Sequence, residues 1–128
     1  MPLVRISLRA GKPQEYQTAI ADAVHRAMTE TINVPALDRF QIITEHDPGQ
    51  LIYDAAYLDI KRTDDIVFIQ ITLNSGRTLE MKRAFYARVA ELLHKNPGIR
   101  KEDVLINLVE VAKEDWSFGN GEAQYAKT

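Results

Sequence analysis

The sequence contains no cysteine, which excludes disulfide bonds, thiol catalysis and cysteine-based zinc sites. It has no excess of positive charge either, because 16 lysine and arginine residues are outnumbered by 18 aspartate and glutamate residues. Nucleic-acid binders usually carry a basic excess, so nucleic acid is not expected as a partner. Apolar runs such as residues 66–69 have the length of a strand and are too short to cross a membrane. The first residues lack the charged region and long apolar stretch of a signal peptide, so a cytoplasmic location is expected.

Common signatures of cofactor and metal sites are missing as well. The sequence has no Gly-x-Ser-x-Gly motif, no P-loop and no dinucleotide fingerprint. The three histidines, His25, His46 and His94, form no i, i+4 pair of the kind that ligates a metal on one face of a helix. We therefore predict chemistry without a cofactor or a metal.

The hydrophobic content predicts a single domain over residues 1–128, because 45% of the residues are hydrophobic and can fill one core. Residues 3–9 alternate in type and predict a strand, and Pro13 stands where the first turn of a helix tolerates proline. Apolar residues at helical spacing follow it, and a second strand is predicted over 39–46. The first half of the chain therefore predicts a β-α-β unit.

The second half repeats this order. Residues 66–73 are rich in β-branched side chains and predict a buried strand, after which Gly76 marks a turn. An apolar stripe then predicts a helix that ends at Asn96-Pro97-Gly98, because proline cannot continue a helix. Residues 103–111 predict the fourth strand. A polar and aromatic stretch at about 47–63 joins the halves, and a tail over 113–128 follows the last strand.

Two consecutive β-α-β units predict an α+β fold: a four-stranded mixed sheet with both helices on one face. Each unit should pair its own strands in parallel through a right-handed crossover. Residues 66–73 and 104–109 include apolar side chains at both odd and even positions of the strand, which indicates burial on both faces of the sheet. Either an oligomer covers the second face, which we favour because large exposed apolar patches are rare, or the stretch at 47–63 and the tail cover it.

Pro2 is the first candidate for chemistry. Methionine aminopeptidases remove Met1 efficiently before a small residue, and removal would leave a secondary amine at the start of the first strand. Burial and nearby cations lower the pKa of an amine. Such an amine can act as a general base near neutral pH, or as a general acid if it stays protonated. Read alone, a proline in the second position is a weak signal.

The predicted topology brings two further residues toward Pro2. Asp38 precedes the second strand, which runs parallel to the first, so both lie at the same edge of the sheet. Arg77 follows the third strand, whose end meets the start of the first strand if these two pair antiparallel. Arg77 also follows Gly76 near the predicted start of the second helix, where backbone N–H groups and a guanidinium can bind a carboxylate. The alternatives are that Arg77 is a solvated arginine of the first helical turn and that Asp38 is a capping or turn carboxylate.

The tail contains a second concentrated signal. Residues 115–121 combine the single tryptophan, Trp116, with Phe118 and two glycines. Such a segment can form the wall of a pocket and exclude water from it, or it can clamp a neighbouring subunit. The two interpretations are compatible with each other.

These residues resemble the tautomerase superfamily, specifically its malonate semialdehyde decarboxylase-like branch, over nearly the whole chain. The most specific parts of the resemblance are Pro2-Leu3, the block Val34-Pro35-Ala36-x-Asp38-Arg39-Phe40-Gln41, the turn His46-x-Pro48-Gly49 and the block Asp115-Trp116-Ser117-Phe118-Gly119-x-Gly121-x-Ala123. The resemblance implies the doubled β-α-β fold, assembled as a homotrimer with sites near subunit boundaries. It also implies a small carboxylate or oxo acid as the substrate.

The resemblance implies a role for each matching residue. Pro2 matches the catalytic amino-terminal proline, and Asp38 matches an aspartate that positions or activates water or substrate. Arg77 matches an arginine that binds the substrate carboxylate or polarises its carbonyl. Trp116 and Phe118 match aromatic residues near the pocket.

One departure from the family concerns Ser75, which stands where decarboxylases of this branch can carry a second arginine. The missing cation weakens the case for decarboxylation and for hydration of haloacrylates, whereas keto–enol tautomerisation needs less electrophilic assistance. Arg39 could supply a cation instead, so Arg39 and Ser75 join the candidate substrate-binding residues. The sequence therefore predicts a tautomerase or decarboxylase of small 2- or 3-oxo acids, and its alternative is a non-catalytic trimeric binding or interaction protein on the same scaffold.

Overall fold

The computed structural model describes residues 2–126 and contains every predicted strand and helix. Each predicted strand boundary lies within two residues of the observed one. The second strand begins at Gln41 rather than residue 39, because the Asp38 N–H donates to the Pro35 carbonyl and keeps this segment in a turn. The elements are β1 (Leu3–Arg9), α1 (Gln14–Thr31), β2 (Gln41–His46), β3 (Val67–Asn74), α2 (Leu79–Lys95) and β4 (Val104–Val111).

The four strands form one mixed sheet in the order β2-β1-β3-β4. Strands β1 and β2 are parallel, as are β3 and β4, and each pair belongs to one β-α-β unit. The two units join antiparallel through β1 and β3, with Leu3 opposite Thr72. The predicted fold class is therefore confirmed, and the antiparallel join places the end of β3 beside the start of β1.

Both helices pack on one face of this sheet. Alternate residues of β1 and β3 face the helices, because successive side chains of a strand point to opposite faces. Phe85 of α2 lies in the centre of the core and is fully buried. α2 begins after Thr78, whose hydroxyl accepts a hydrogen bond from the Met81 N–H at 3.2 Å and so caps the first turn. The buried side chains that fill the core from the sheet side are Val4, Ile6, Leu8, Val67, Ile69, Ile71 and Leu73.

The opposite face of the sheet is partly open within the chain. On β4, Leu105 and Val109 remain 37% and 38% exposed, although both are apolar. The connection between β2 and β3 does not bury its own apolar residues either, because Ile52 is 85% and Leu58 is 71% exposed. Asp103, which is fully buried, holds the end of this connection by accepting hydrogen bonds from the Thr63 N–H and hydroxyl at 2.7 and 2.6 Å.

Within residues 2–126, neither helix combines the length and the apolar character that crossing a bilayer requires.

Candidate active site

Pro2 is buried at the start of β1 and lines a cleft of about 260 Å³. The cleft forms where β1 passes the segment before β2: the Val4 N–H donates to the Phe40 carbonyl at 3.0 Å and holds the two chain segments together. Its lining residues are Pro2, Leu3, Phe40, Trp116, Ser117 and Phe118. Three residues singled out in the sequence, Pro2, Trp116 and Phe118, therefore meet at one place.

Three of the six residues that line this cleft, Phe40, Trp116 and Phe118, are aromatic. The Trp116 indole stacks on the Phe118 ring, with centroids 5.3 Å apart and planes 13° apart. The Phe40 and Phe118 ring centroids are 5.9 Å apart, and Tyr125 meets Phe118 edge-on at 4.9 Å. Phe40 and Tyr125 were not among the candidate residues. Sequence spacing gives no signal for Tyr125, because the tail has no periodic structure that would predict its direction.

The tail keeps Phe118 in place through a side-chain amide. The Phe118 N–H donates to Gln124 Oε1 at 2.8 Å, and Gln124 Nε2 donates to the Gly119 carbonyl at 2.7 Å. One glutamine therefore binds the backbone on both sides of the Phe118–Gly119 peptide and closes residues 118–124 into a compact loop. Lys127 and Thr128, the end of the predicted tail, and Met1, with the question of its removal, lie outside the described residues.

Asp38 is half-buried three residues before β2, on a turn that α1 supports. His25, which is buried on α1, donates from Nε2 to the Ala36 carbonyl at 2.8 Å, because a carbonyl oxygen can only accept. The Asp38 N–H in turn donates to the Pro35 carbonyl at 3.0 Å. His25 therefore has a structural role that its sequence position did not reveal: it ties the Asp38 turn to the helix.

Arg77 is half-buried, and its guanidinium is bound to backbone carbonyls. Nε and Nη2 donate to the Ile32 carbonyl at 3.2 and 3.1 Å, at the end of α1. Nη1 donates to the Asn74 carbonyl at 3.1 Å, at the end of β3. Among the described residues, Arg77 and Asp38 are not part of the cleft lining. Arg77 is connected to the cleft through Asn74, whose side chain accepts a hydrogen bond from the Trp116 indole at 2.7 Å.

A carboxylate also lies near Arg77. Lys82 hydrogen-bonds to the Glu110 carboxylate and lowers the pKa of that carboxyl, and the Gly76 N–H and the charge of Arg77 act in the same direction. Glu110 is on β4 and Lys82 is on α2. The surroundings of Arg77 therefore contain a second cation together with an anion.

Arg39 and Ser75 lie elsewhere. The Arg39 guanidinium is exposed and pairs with Asp22 of α1 at 2.7 Å, while its Nε donates to Gln41 at 2.9 Å. Ser75 is exposed directly after β3, and its N–H donates to the Val111 carbonyl at 2.9 Å. In the part of the chain that is described, neither residue is part of the cleft lining.

Comparison with known proteins shows the family to which the chain belongs. Two family models described as tautomerase enzymes match residues 38–119 and residues 2–56. The chain belongs to the tautomerase family, and the predicted resemblance to that family is confirmed.

Individual relatives match almost the whole chain. It is 44% identical to the probable tautomerase YusQ of Bacillus subtilis (strain 168), covering 97% of this chain and 98% of that protein. The crystal structure of FG41 malonate semialdehyde decarboxylase inhibited by 3-bromopropiolate matches with a TM-score of 0.90 at 44% identity, over 96% of this chain and 93% of the other. A second malonate semialdehyde decarboxylase structure matches with a TM-score of 0.90 at 32% identity, over 96% and 95%.

Proposed function

We propose that this protein is a cofactor-independent tautomerase of small 2- or 3-oxo acids, with Pro2 as its proton-transfer group after removal of Met1. The observation that carries the proposal is the position of Pro2, which is buried and lines a cleft together with Phe40, Trp116 and Phe118. Apolar walls exclude water and strengthen electrostatic interactions inside the cleft. Membership of the tautomerase family supports the same reaction class.

In the tautomerase reaction, the neutral Pro2 nitrogen takes the proton from the enol hydroxyl, and the C=C electrons then take a proton at the α-carbon. The same nitrogen can deliver that proton, so no group is consumed and no cofactor is required. Arg77 would hold the substrate carboxylate and stabilise developing negative charge. A guanidinium has five N–H donors, and three are used on Ile32 and Asn74, which leaves two for a substrate.

Decarboxylation of malonate semialdehyde is the second candidate, because two decarboxylases of that substrate share the fold at 32% and 44% identity. Here Pro2 stays protonated and polarises the carbonyl of the 3-oxo acid. The carboxylate leaves as CO₂, its C–C bonding electrons form an enol or enolate, and a proton is then added at carbon. Arg77 and Asp38 would orient the departing carboxylate. Ser75, in place of a second arginine, weighs against this reaction and favours tautomerisation.

We also propose that the chain works as a homotrimer. The partly open sheet face and the exposed apolar residues Ile52 and Leu58 support association, because large exposed apolar surfaces are rare in monomers. A fused 4-OT symmetric trimer shares the fold with a TM-score of 0.78 at 22% identity. Light scattering coupled to gel filtration should give three times the 14.5 kDa chain mass, and a monomer mass would exclude the trimer.

The test of the proposed reaction compares the wild type with Pro2→Ala on phenylenolpyruvate and on malonate semialdehyde. Pro48→Ala is the matched control, because Pro48 lies in an exposed turn. Intact mass spectrometry first establishes that Met1 has been removed, since a retained methionine turns the Pro2 nitrogen into an amide. We expect a large loss of rate in Pro2→Ala and none in the control.

Equal rates in wild type and Pro2→Ala would remove the proline mechanism. Absence of turnover on both substrates, in protein that lacks Met1, would favour the alternative of a non-catalytic binding protein. The pH–rate profile separates the two chemistries: activity that appears as an amine loses its proton indicates a base, and activity lost over that range indicates an acid.

A further inference from the structure

Asn74 is a polar residue at the end of β3 that is only 5% exposed, and the reaction described above does not use it. Its side-chain Oδ1 accepts a hydrogen bond from Trp116 Nε1 at 2.7 Å. An indole N–H can only donate, so the amide atom that faces it must be the oxygen. This contact therefore fixes both the orientation of the Asn74 amide and the position of the indole edge.

The same residue also contacts Arg77. The Asn74 main-chain carbonyl accepts a hydrogen bond from Arg77 Nη1 at 3.1 Å. Asn74 therefore links Arg77 and Trp116, which are far apart in the sequence and both belong to the proposed site. Its side chain positions the aromatic wall, and its backbone positions the cation.

The register of the sheet places Asn74 near the start of β1. Leu3 pairs with Thr72 across the antiparallel β1–β3 ladder, so β3 continues past this pair toward Asn74 as β1 runs back toward Pro2. Trp116, which Asn74 binds, lines the cleft together with Pro2 and stacks on Phe118. The stack has no other hydrogen bond from its ring atoms among the described residues, because Phe118 has no polar ring atom and Trp116 has one.

We propose that Asn74 is a positioning residue of the active site, which acts through Trp116 to set the width of the cleft beside Pro2. This inference rests on the proposed function of the cleft. Removing the acceptor leaves a half-buried indole N–H without its partner, and the ring then turns toward water to regain a hydrogen bond. That movement separates Trp116 from Phe118 and weakens substrate binding, while proton transfer at Pro2 is affected less.

The experiment uses Trp116 as its own reporter, because it is the only tryptophan in the chain. Asn74→Leu removes the acceptor at similar size, whereas Asn74→Asp keeps an acceptor oxygen. Asn96→Leu is the matched control, since Asn96 lies exposed directly after α2, at the end of that helix away from Arg77. Far-UV circular dichroism and a urea midpoint establish that each variant is folded.

We expect Asn74→Leu to shift the fluorescence maximum to longer wavelength and to increase quenching by acrylamide, with Asn74→Asp and Asn96→Leu close to wild type. KM should rise about fivefold in Asn74→Leu, the factor that corresponds to roughly 1 kcal/mol for one neutral hydrogen bond, with a smaller change in kcat. In a Trp116→Phe background, which has no indole N–H, Asn74→Leu should cause little further change in KM.

Unchanged fluorescence and quenching in Asn74→Leu would overturn the proposal, and so would a shifted spectrum with an unchanged KM. Calorimetric titration with phenylpyruvate distinguishes this inference from the proposed reaction. Wild type that binds phenylpyruvate but turns over neither phenylenolpyruvate nor malonate semialdehyde would refute the proposed reaction. The Kd of Asn74→Leu for phenylpyruvate would then decide the positioning role. Wild type that neither binds nor turns over any oxo acid would overturn both.

Discussion

Replacing Arg77 with methionine should lower the free energy of unfolding by about 3 kcal/mol, in addition to any effect on catalysis. The reason is that the guanidinium is bound to the protein itself. It joins the Ile32 carbonyl at the end of α1 to the Asn74 carbonyl at the end of β3. A cation at the C-terminus of a helix also interacts favourably with the helix dipole.

The magnitude follows from the three hydrogen bonds. Hydrogen bonds of a charged group contribute about 1.5–3 kcal/mol each when well buried. The three Arg77 bonds are long, at 3.1 to 3.2 Å, and the side chain is only half-buried, so water can replace part of each. We therefore take about 1 kcal/mol for each bond, near the value for a neutral hydrogen bond. Arg77→Lys, which can reach one carbonyl at a time, should lose about two thirds of this amount.

Urea unfolding at fixed protein concentration measures the effect, since the stability of the proposed trimer would depend on concentration. Arg39→Met is the matched control, because Arg39 is exposed and its pair with Asp22 should contribute no more than about 1 kcal/mol. If Arg77→Met unfolds like the wild type but fails to bind substrate, the guanidinium is free to bind ligands and does not hold the fold. That result would refute the structural role of Arg77.

Three further predictions concern the fold and its electrostatics. Phe85→Ala should cost about 3–5 kcal/mol in a urea titration, because a fully buried ring leaves a cavity. Asp103→Ala should cost about 2–3 kcal/mol and speed proteolysis near residue 60, because it removes both acceptors of Thr63; a wild-type midpoint would contradict this. The pKa of the Glu110 carboxyl is lowered chiefly by Lys82, so this pair stabilises the fold above the ordinary carboxyl pKa of 4.5. Thermal melts of wild type and Lys82→Met should therefore differ at pH 7 and converge as the pH falls below 4.5; a constant difference would be inconsistent.

The order, type and approximate bounds of the strands and helices could be predicted from the amino-acid sequence. Period-two and helical spacing of apolar residues, with Pro13 and Asn96-Pro97-Gly98 at helix ends, are local properties, and local periodicity is enough to define each element. The antiparallel join of the two halves was a condition of the predicted topology, and the pairing of β1 with β3 in the structure meets it. The order of the strands and helices was enough to bring Pro2 to one edge of the sheet, beside the segment that contains Asp38.

The contacts of the polar side chains, in contrast, could be known only from the folded molecule. Trp116 bonds to Asn74, 42 residues away, and Arg77 bonds to Ile32, 45 residues away. Arg39 turns to Asp22 of α1 rather than to the cleft. The spacing of residues in the sequence does not predict these contacts, because each depends on a side-chain direction that is set only when distant elements pack together. Packing also requires each buried donor to be paired with an acceptor.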